Sequence, residues 1–384
     1  MQQDFHYFAT FCAALMAGYT PEESLQIGYS SFLVDCCTRR FLSAAGAPLS
    51  AATTQDQLEL IDAPTDILGL QDITRIWAPF HFLPGALYAE CGGPKVYRDK
   101  YRLICLPDSD LAEKTVKNAA GRGLPAVGMA MHILADTWAH TYFAGTPSLV
   151  INNTNYHFFE LFPDETEKRV SFIHNPALTD DTETGLYIAS IYRPDENSVM
   201  NLGHGRAGHL PDYSFIRYRY LPAWGDYAEI VKDNPADYYL AFCQMVRAMQ
   251  YLRTGTGTFE RRQYAFDTVR PYEDRVKRIL SVRRRNAAED WKRFGEELSG
   301  ITLPPFDAFA CVGEYTAAKD KDSTLLGQFV LAALSQKSLV TREIFQSGSR
   351  LAGFSAEYRP GRINGIRDFA VLIRSELEKR RERS

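Results

Sequence analysis

Residues 132 to 140 read HILADTWAH, an apolar run that carries His132, Asp136 and His140 at intervals of four. On an α-helix, four residues advance the azimuth by only about 40° and the axis by about 6 Å, so these three side chains share one face. The company is greasy: Ile133, Leu134, Ala135 and Trp138. Burying Asp136 there without a cation or hydrogen-bond partners costs several kcal/mol, so the chain must fold in a way that brings partners to this stripe. Geometry narrows the choice. His132 and His140 end up about 12 Å apart along the axis, whereas a zinc–nitrogen bond is about 2 Å. The spacing therefore points to two or more metals, with His132 on one, His140 on another, and Asp136 between them using both oxygens.

The chain of 384 residues is long enough to bury a large core, as two domains or as one large domain with an appendage. Hydrophobic residues make up 45% and charged residues 23%, the balance of a soluble globular protein, and no apolar run reaches the 18 or so residues of a membrane span. A formal net charge of -4 gives no field that would gather nucleic acid, and the late basic stretches RVKRILSVRRR and EKRRERS read as solvated helix faces. Seven cysteines without a C-x-x-C pair suit a reducing compartment and argue against a disulfide framework or a Cys-rich zinc site. The start, MQQDFHYFATFCAALMAGY, lacks a basic leader and carries Asp4 early. It is a poor secretory signal, so folded structure and synthesis in a bacterial cytoplasm are expected.

Helix signals dominate the order of elements. A first helix is expected over 4–17, stopped by Gly18. Thr20 as N-cap, Pro21 at the first helical position and Glu23 three residues after the cap open a second helix, running to about residue 40 with Asp35 inside it. Residues 43–54 read as a loop, and a third helix is entered at Pro125 and left at Gly145. Residues 150–225, rich in Asn, Pro, Gly and His, suggest long ordered loops with two short strands near VSFIH and GLYIASIY. Helices return from 226, starting with ADYYLAFCQMVRAMQYLR, then a TGTGT linker at 254–258 and basic helices to about 299. GITLPPFD marks a candidate boundary, and two or three further helices follow it. The expected class is mostly α, with a site-bearing region 1–300 and a helical C-terminal region 301–384.

All eight histidines lie in the first 209 residues, which confines a histidine-built site to the N-terminal region. His6 and Asp4 sit at the start of the first helix, Asp35 is an acid in an apolar helical segment, and His81 stands in FHFLPG before a Pro-Gly turn. NYHFFELF offers His157 with Glu160, and NLGHGRAGHLPDYSF offers His204, His209 and Asp212. The literal G-x-G-x-x-G at Gly203, Gly205 and Gly208 is no dinucleotide fingerprint, because no strand precedes it and Leu210-Pro211 follows in place of a helix.

In this order DFHYF, GYSSFLVD, FHFLPG, HILADTWAH and GHGRAGHLPD resemble motifs of the bacterial and fungal zinc metallophospholipase C family, specifically to about residue 225 and more loosely beyond. More distantly the chain is similar to the three-zinc phospholipase C and P1 nuclease group, whose central helix carries a comparable His-x-x-x-Asp element. The resemblance implies a multi-helix core with long ordered loops and a few short strands. It implies two or three zinc ions, and hydrolysis of glycerophospholipids, phosphatidylcholine among them, at a membrane surface to diacylglycerol and a phosphorylated head group. It also implies a secreted virulence effector, which here would leave the cell by a route other than the general secretory one, and no nucleic-acid partner. By analogy His6, Asp35 and His81 join the central helix, with Asp35 as ligand or general base and Asp136 as the shared, catalytically required carboxylate. Two departures stand out. The three-zinc group ligates metal with a mature N-terminal amine, and no cleavage site here exposes one, which leaves Asp4 as a substitute or one metal absent. That group also follows its central helix with His-x-x-x-Glu; His157 and Glu160 have the wrong spacing, and His204 is an equal alternative. Aromatic residues near Trp77, Phe80, Phe82, Trp138, Tyr142 and Phe143 are candidates for an acyl-chain rim. Two rival readings are a nuclease or nucleotidase with the same cluster, and a non-catalytic helical interaction protein.

Overall fold

Thr20 starts the second long helix as its sequence predicts: its hydroxyl accepts from the Glu23 N–H (3.2 Å), while the Glu23 carboxylate accepts from the Thr20 N–H (2.9 Å). The structure is a computed structural model. It describes residues 1–56, 67–89, 101–146, 157–173, 175, 178–188, 204–222 and 229–348, together with the strand pairs 358–359 and 362–363. His174 and the basic tail EKRRERS lie outside the described residues.

A π-helical turn (Asp4–Ala9) leads into α1 (Thr10–Met16). There follow α2 (Pro21–Cys36), α3 (Arg39–Ala45), α4 (Ile67–Phe80), α5 (Asp110–Ala119) and α6 (Leu124–Ala139). The middle of the chain holds β1 (Phe159–Leu161), β2 (Glu167–Arg169), β3 (Phe172–Ile173), β4 (Tyr187–Ile188), the short α7 (His204–Ala207), β5 (Arg217–Tyr220) and β6 (Ile230–Asp233). Then come α8 (Asn234–Thr254), α9 (Phe266–Val269), α10 (Glu273–Leu280), α11 (Ala288–Ser299), α12 (Ala310–Ala317) and α13 (Leu325–Gln346), with β7 (Tyr358–Arg359) and β8 (Arg362–Ile363) last. The fold is mostly α. No described helix is long and apolar enough to cross a membrane.

The all-round apolar sequence of α6 fits its place. Every residue from Pro125 to Ala139 is buried, with α2, α5, α8 and α13 packed around the helix. Two glycines set the spacing on its α2 side. A Cβ on Gly128 of α6 would lie 2.3 Å from the Ile27 carbonyl oxygen of α2, and one on Gly28 of α2 would lie 2.7 Å from the Tyr7 carbonyl oxygen of the first turn. Only hydrogen at these positions lets the three backbones approach so closely. The consequence is that His6, Asp35 and His132 come into one layer.

Some boundaries differ from expectation. The loop expected over 43–54 is entered late, because Thr38 caps α3 through the Phe41 N–H (3.1 Å) and Gly46 ends it at φ 67°. The helix expected to run to Gly145 stops at Ala139, where the Thr141 hydroxyl takes the Thr137 and Trp138 carbonyls and Tyr142 turns to φ 76°. The strands expected near VSFIH and GLYIASIY are β3 and β4, paired in parallel. A four-stranded antiparallel sheet, in the order β2-β1-β5-β6, was not anticipated.

The division expected after residue 300 is not marked by any break in the core. Leu303, Cys311, Tyr315, Phe329 and Ile344 belong to the same apolar cluster as Phe5, Leu33 and Met131. A second cluster, containing Phe82, Phe143, Phe158, Tyr218 and Tyr220, lies under the sheet. Trp77 and Tyr142 pack against both clusters, and the polar centre lies beside them.

Candidate metal centre

His132 and Asp136 are adjacent turns of α6, and His140 caps its end, its N–H still bonded to the Asp136 carbonyl (2.9 Å). The stripe read from the sequence thus survives although the helix stops early. Asp136 is its hub. Oδ1 lies 3.1 Å from His6 Nε2 and 3.1 Å from the Met1 amine. Oδ2 lies 3.2 Å from His81 Nδ1, 3.2 Å from His132 Nε2 and 3.6 Å from His140 Nδ1. Asp35, reaching over from α2, places Oδ1 3.8 Å from both His81 Nδ1 and His132 Nε2. On the other side Asp212 Oδ1 lies 3.0 Å from the Met1 amine, 3.3 Å from His140 Nε2 and 3.4 Å from His204 Nε2.

These donors form three groups, His6 with Asp35 and His132, His81 with His132 and Asp136, and His140 with His204 and Asp212, of which the first two share His132. Within each group the ligand atoms lie within 4.8 Å of one another, close enough to hold a metal ion. Hydrogen bonds from outside fix which ring nitrogens point inward. His81 Nε2 donates to the Thr53 carbonyl (3.0 Å), and His140 Nδ1 donates to the His81 carbonyl (2.7 Å). In the neutral rings the lone pairs of His81 Nδ1 and His140 Nε2 then face the carboxylate oxygens of Asp136 and Asp212. Lone pair against carboxylate is repulsive unless a cation lies between them. The donor set therefore fits metal ions.

Electrostatics point the same way. Burial pushes the His6 and His140 imidazoles below their ordinary value, which favours the neutral, ligating form. Burial opposes the charge on Asp136, yet His140, the Met1 amine, His132 and His6 hold its carboxyl well below the usual carboxylate range. Burial likewise opposes the charge on the Met1 amine, and Asp136, Asp212 and Asp35 outweigh it, so its pKa is pushed up to about 11. In this arrangement the ammonium is the cation that the carboxylates gather. Asp35 goes the other way: desolvation and Asp136 raise its carboxyl against the pull of His132 and His81.

The cluster has an open edge. The side chains of Asp35, His204 and Asp212 are 28%, 18% and 11% exposed, against at most 5% for His6, His81, His132, Asp136 and His140. Aromatic rings flank it. Phe82 stacks on His140 (4.7 Å), Phe143 meets His204 edge-on (5.7 Å), and Trp77, anchored by Gln55, tilts over His81 (4.9 Å).

Of the residues singled out in the sequence, the structure gathers His6, Asp35, His81, His132, Asp136, His140 and His204. It does not bring in Asp4, whose carboxylate accepts from the Phe5 (2.8 Å) and Ala287 (2.9 Å) N–H groups; two residues from His6, it points off another side of the turn. Nor does it bring in His157, which is exposed just before β1, while Glu160 pairs with Arg283 and Tyr187. Asp212 takes the place that His157 and Glu160 left open, with His204. The Met1 amine had no signal in the side-chain pattern at all. No curated protein and no solved structure matches the chain. A model for a family of unknown function, DUF6765, matches residues 1–344, and the chain belongs to that family.

Proposed function

We propose that this chain is a zinc-dependent phosphodiesterase of phospholipase C type, cleaving glycerophospholipids on the glycerol side of phosphate. The observation that carries the reading is the hub at Asp136, whose two oxygens face His6, His81, His132 and His140, within a cluster that offers three sets of donors each close enough to hold a metal ion. Bound there, two or three zinc ions supply Lewis acidity to the non-bridging oxygens of a phosphate diester and acidify water. The remaining work falls to the chain. His6, His81, His132 and Asp136 hold the closed side, and His140, His204 and Asp212 hold the open one. Asp35 is half-buried at the open edge, where desolvation raises its carboxyl, so it takes the proton of the attacking water. Asp136, enclosed and firmly ionised, keeps its charge throughout. Trp77 and Tyr142, both half-buried, offer apolar surface beside the cluster for acyl chains.

The test is metal content and a headgroup-release panel on one preparation made without chelator. At least two equivalents of zinc and release of phosphorylated head groups are expected. Less than one equivalent of any transition metal, or phosphatidic acid or free fatty acid as the main product, overturns the reading. Asp136→Asn is expected to lower turnover at least about 100-fold with the fold retained.

A further inference from the structure

Asp212 stands on a 3-10 turn of three residues, Leu210–Asp212, a helical form with poor hydrogen-bond geometry that needs outside support to fix a carboxylate. That support comes from α8. Asn234, the first residue of the helix, is buried, and its Nδ2 donates to the carbonyls of Leu210 (2.8 Å) and Tyr213 (2.8 Å), with the Pro211 carbonyl at 3.4 Å. One turn later on the same face, the Tyr238 hydroxyl donates to the Pro211 carbonyl (3.0 Å). The backbone is thus gripped on both sides of Asp212, whose carboxylate is left to His140 (3.3 Å) and His204 (3.4 Å). Stability alone does not account for Asn234. Its Oδ1 is buried and accepts no hydrogen bond among the described residues, and a buried acceptor left unpaired is destabilising. A carboxamide kept at that site points to the work of its NH2 group. The same helix registers the turn against the rest of the cluster: Gln244 accepts from Trp138 Nε1 (2.8 Å), two residues before His140, and Tyr238 meets Phe5 edge-on (5.0 Å), next to His6.

We propose that Asn234 and Tyr238 are the positioning residues of the His140, His204 and Asp212 donor group, and that they act on this group alone. The inference rests on the reading of the cluster as a metal centre. The two groups that share His132 draw their donors from the first turn, α2, α6 and the residue after α4, and neither Asn234 nor Tyr238 hydrogen-bonds to any of these. Without the clamp, the turn that carries Asp212 loses the bonds that set its place beside His140. Removing such an outer partner typically weakens a metal site about 10- to 100-fold.

The test counts zinc per full chain by metal analysis after equilibrium dialysis, and reads the affinity of each equivalent by competition with a chelating dye. Asp212→Asn is the reference, because it damages the same donor group directly. Asn234→Ala is expected to hold one equivalent fewer than wild type, as Asp212→Asn does, and the double variant is expected to lose no more than either single one, the signature of two residues serving one site. Tyr238→Phe keeps the ring against Phe5 and loses one hydrogen bond, so it should keep the count and weaken the last equivalent about tenfold. Near-UV circular dichroism shows whether Asn234→Ala folds; where it does not, Tyr238→Phe decides. A wild-type zinc count in folded Asn234→Ala, wild-type affinities in Tyr238→Phe, losses shared by all equivalents, or a double variant that loses more than either single one overturns the inference while the metal centre stands. Wild-type zinc in Asp212→Asn shows that this donor group holds no ion, and overturns it as well. A wild-type chain with less than one equivalent overturns the metal centre itself, and the inference with it.

Discussion

His81 and His140 show how much of a metal site is decided one bond away from it. Each ring is turned by a backbone carbonyl, that of Thr53 for His81 and that of His81 itself for His140, so the two rings are linked in series. The inward-facing nitrogens follow from those bonds. His6 stacks on His132 at 3.7 Å, and His6→Ala is expected to cost at least about tenfold in activity together with part of the bound zinc, read by metal analysis and assay at saturating zinc. Asp4 makes the contrast. Its carboxylate serves two backbone N–H groups and no ligand, so Asp4→Asn should keep zinc and turnover within about twofold while losing about 1 kcal/mol of stability in denaturant unfolding. At this scale the sequence was informative wherever a polar residue sat in apolar company. His132, Asp136, Asp35 and His81 gave themselves away by the cost of burying them. Asp212 did not, because a loop with Asn, Pro and Gly gives no burial signal, and two loop segments competed for one place.

Among the elements, the contact of α2 with α6 does most to build the site. Gly128→Ala would drive a methyl group into the Ile27 carbonyl and the Ser30 side chain. The two helices must then separate, at about 1–3 kcal/mol, and Asp35 moves away from His132. Denaturant unfolding and zinc content together check this; an unchanged zinc content would show that the spacing does not set the ligand layer. A second element has its own signature in pH. Glu343 of α13 is enclosed, and burial alone would raise its carboxyl, but Lys114 of α5 (2.6 Å) and Tyr88 bring it below the ordinary value. A folded-state pKa below the unfolded one adds stability above the unfolded value, and that stability disappears as pH falls through the folded value. Glu343→Gln should therefore flatten the loss of stability below about pH 4.3 relative to wild type, and leave the shape of the curve above pH 6 unchanged. The start of α2 was legible because a capping box is written within four residues. The sheet was not legible, because strands of three or four residues depend on register with partners up to 60 residues away.

At the scale of the whole molecule, core and cluster are two views of one enclosure, so removing metal should be felt globally. A ligand that binds only the folded chain adds about 4 kcal/mol at a thousandfold excess over its Kd, and a chelator is expected to lower the thermal midpoint accordingly, followed by scanning calorimetry with and without zinc. The mostly helical class was readable from periodicity and caps. The continuity of the core past residue 300 was not, because a Pro-rich stretch such as GITLPPFD looks the same whether it separates domains or turns a corner inside one. The enclosure is closed by residues far apart along the chain. The Ala287 N–H donates to Asp4, 283 residues earlier, and Tyr7 donates to the Pro304 carbonyl, 297 residues later. During synthesis at about 5 to 20 residues per second, the first turn therefore waits roughly 15 to 60 s for the helix that covers it. His6 is made long before the helix that covers its turn, so any ion or chaperone that meets the nascent chain in that interval finds the imidazole not yet covered.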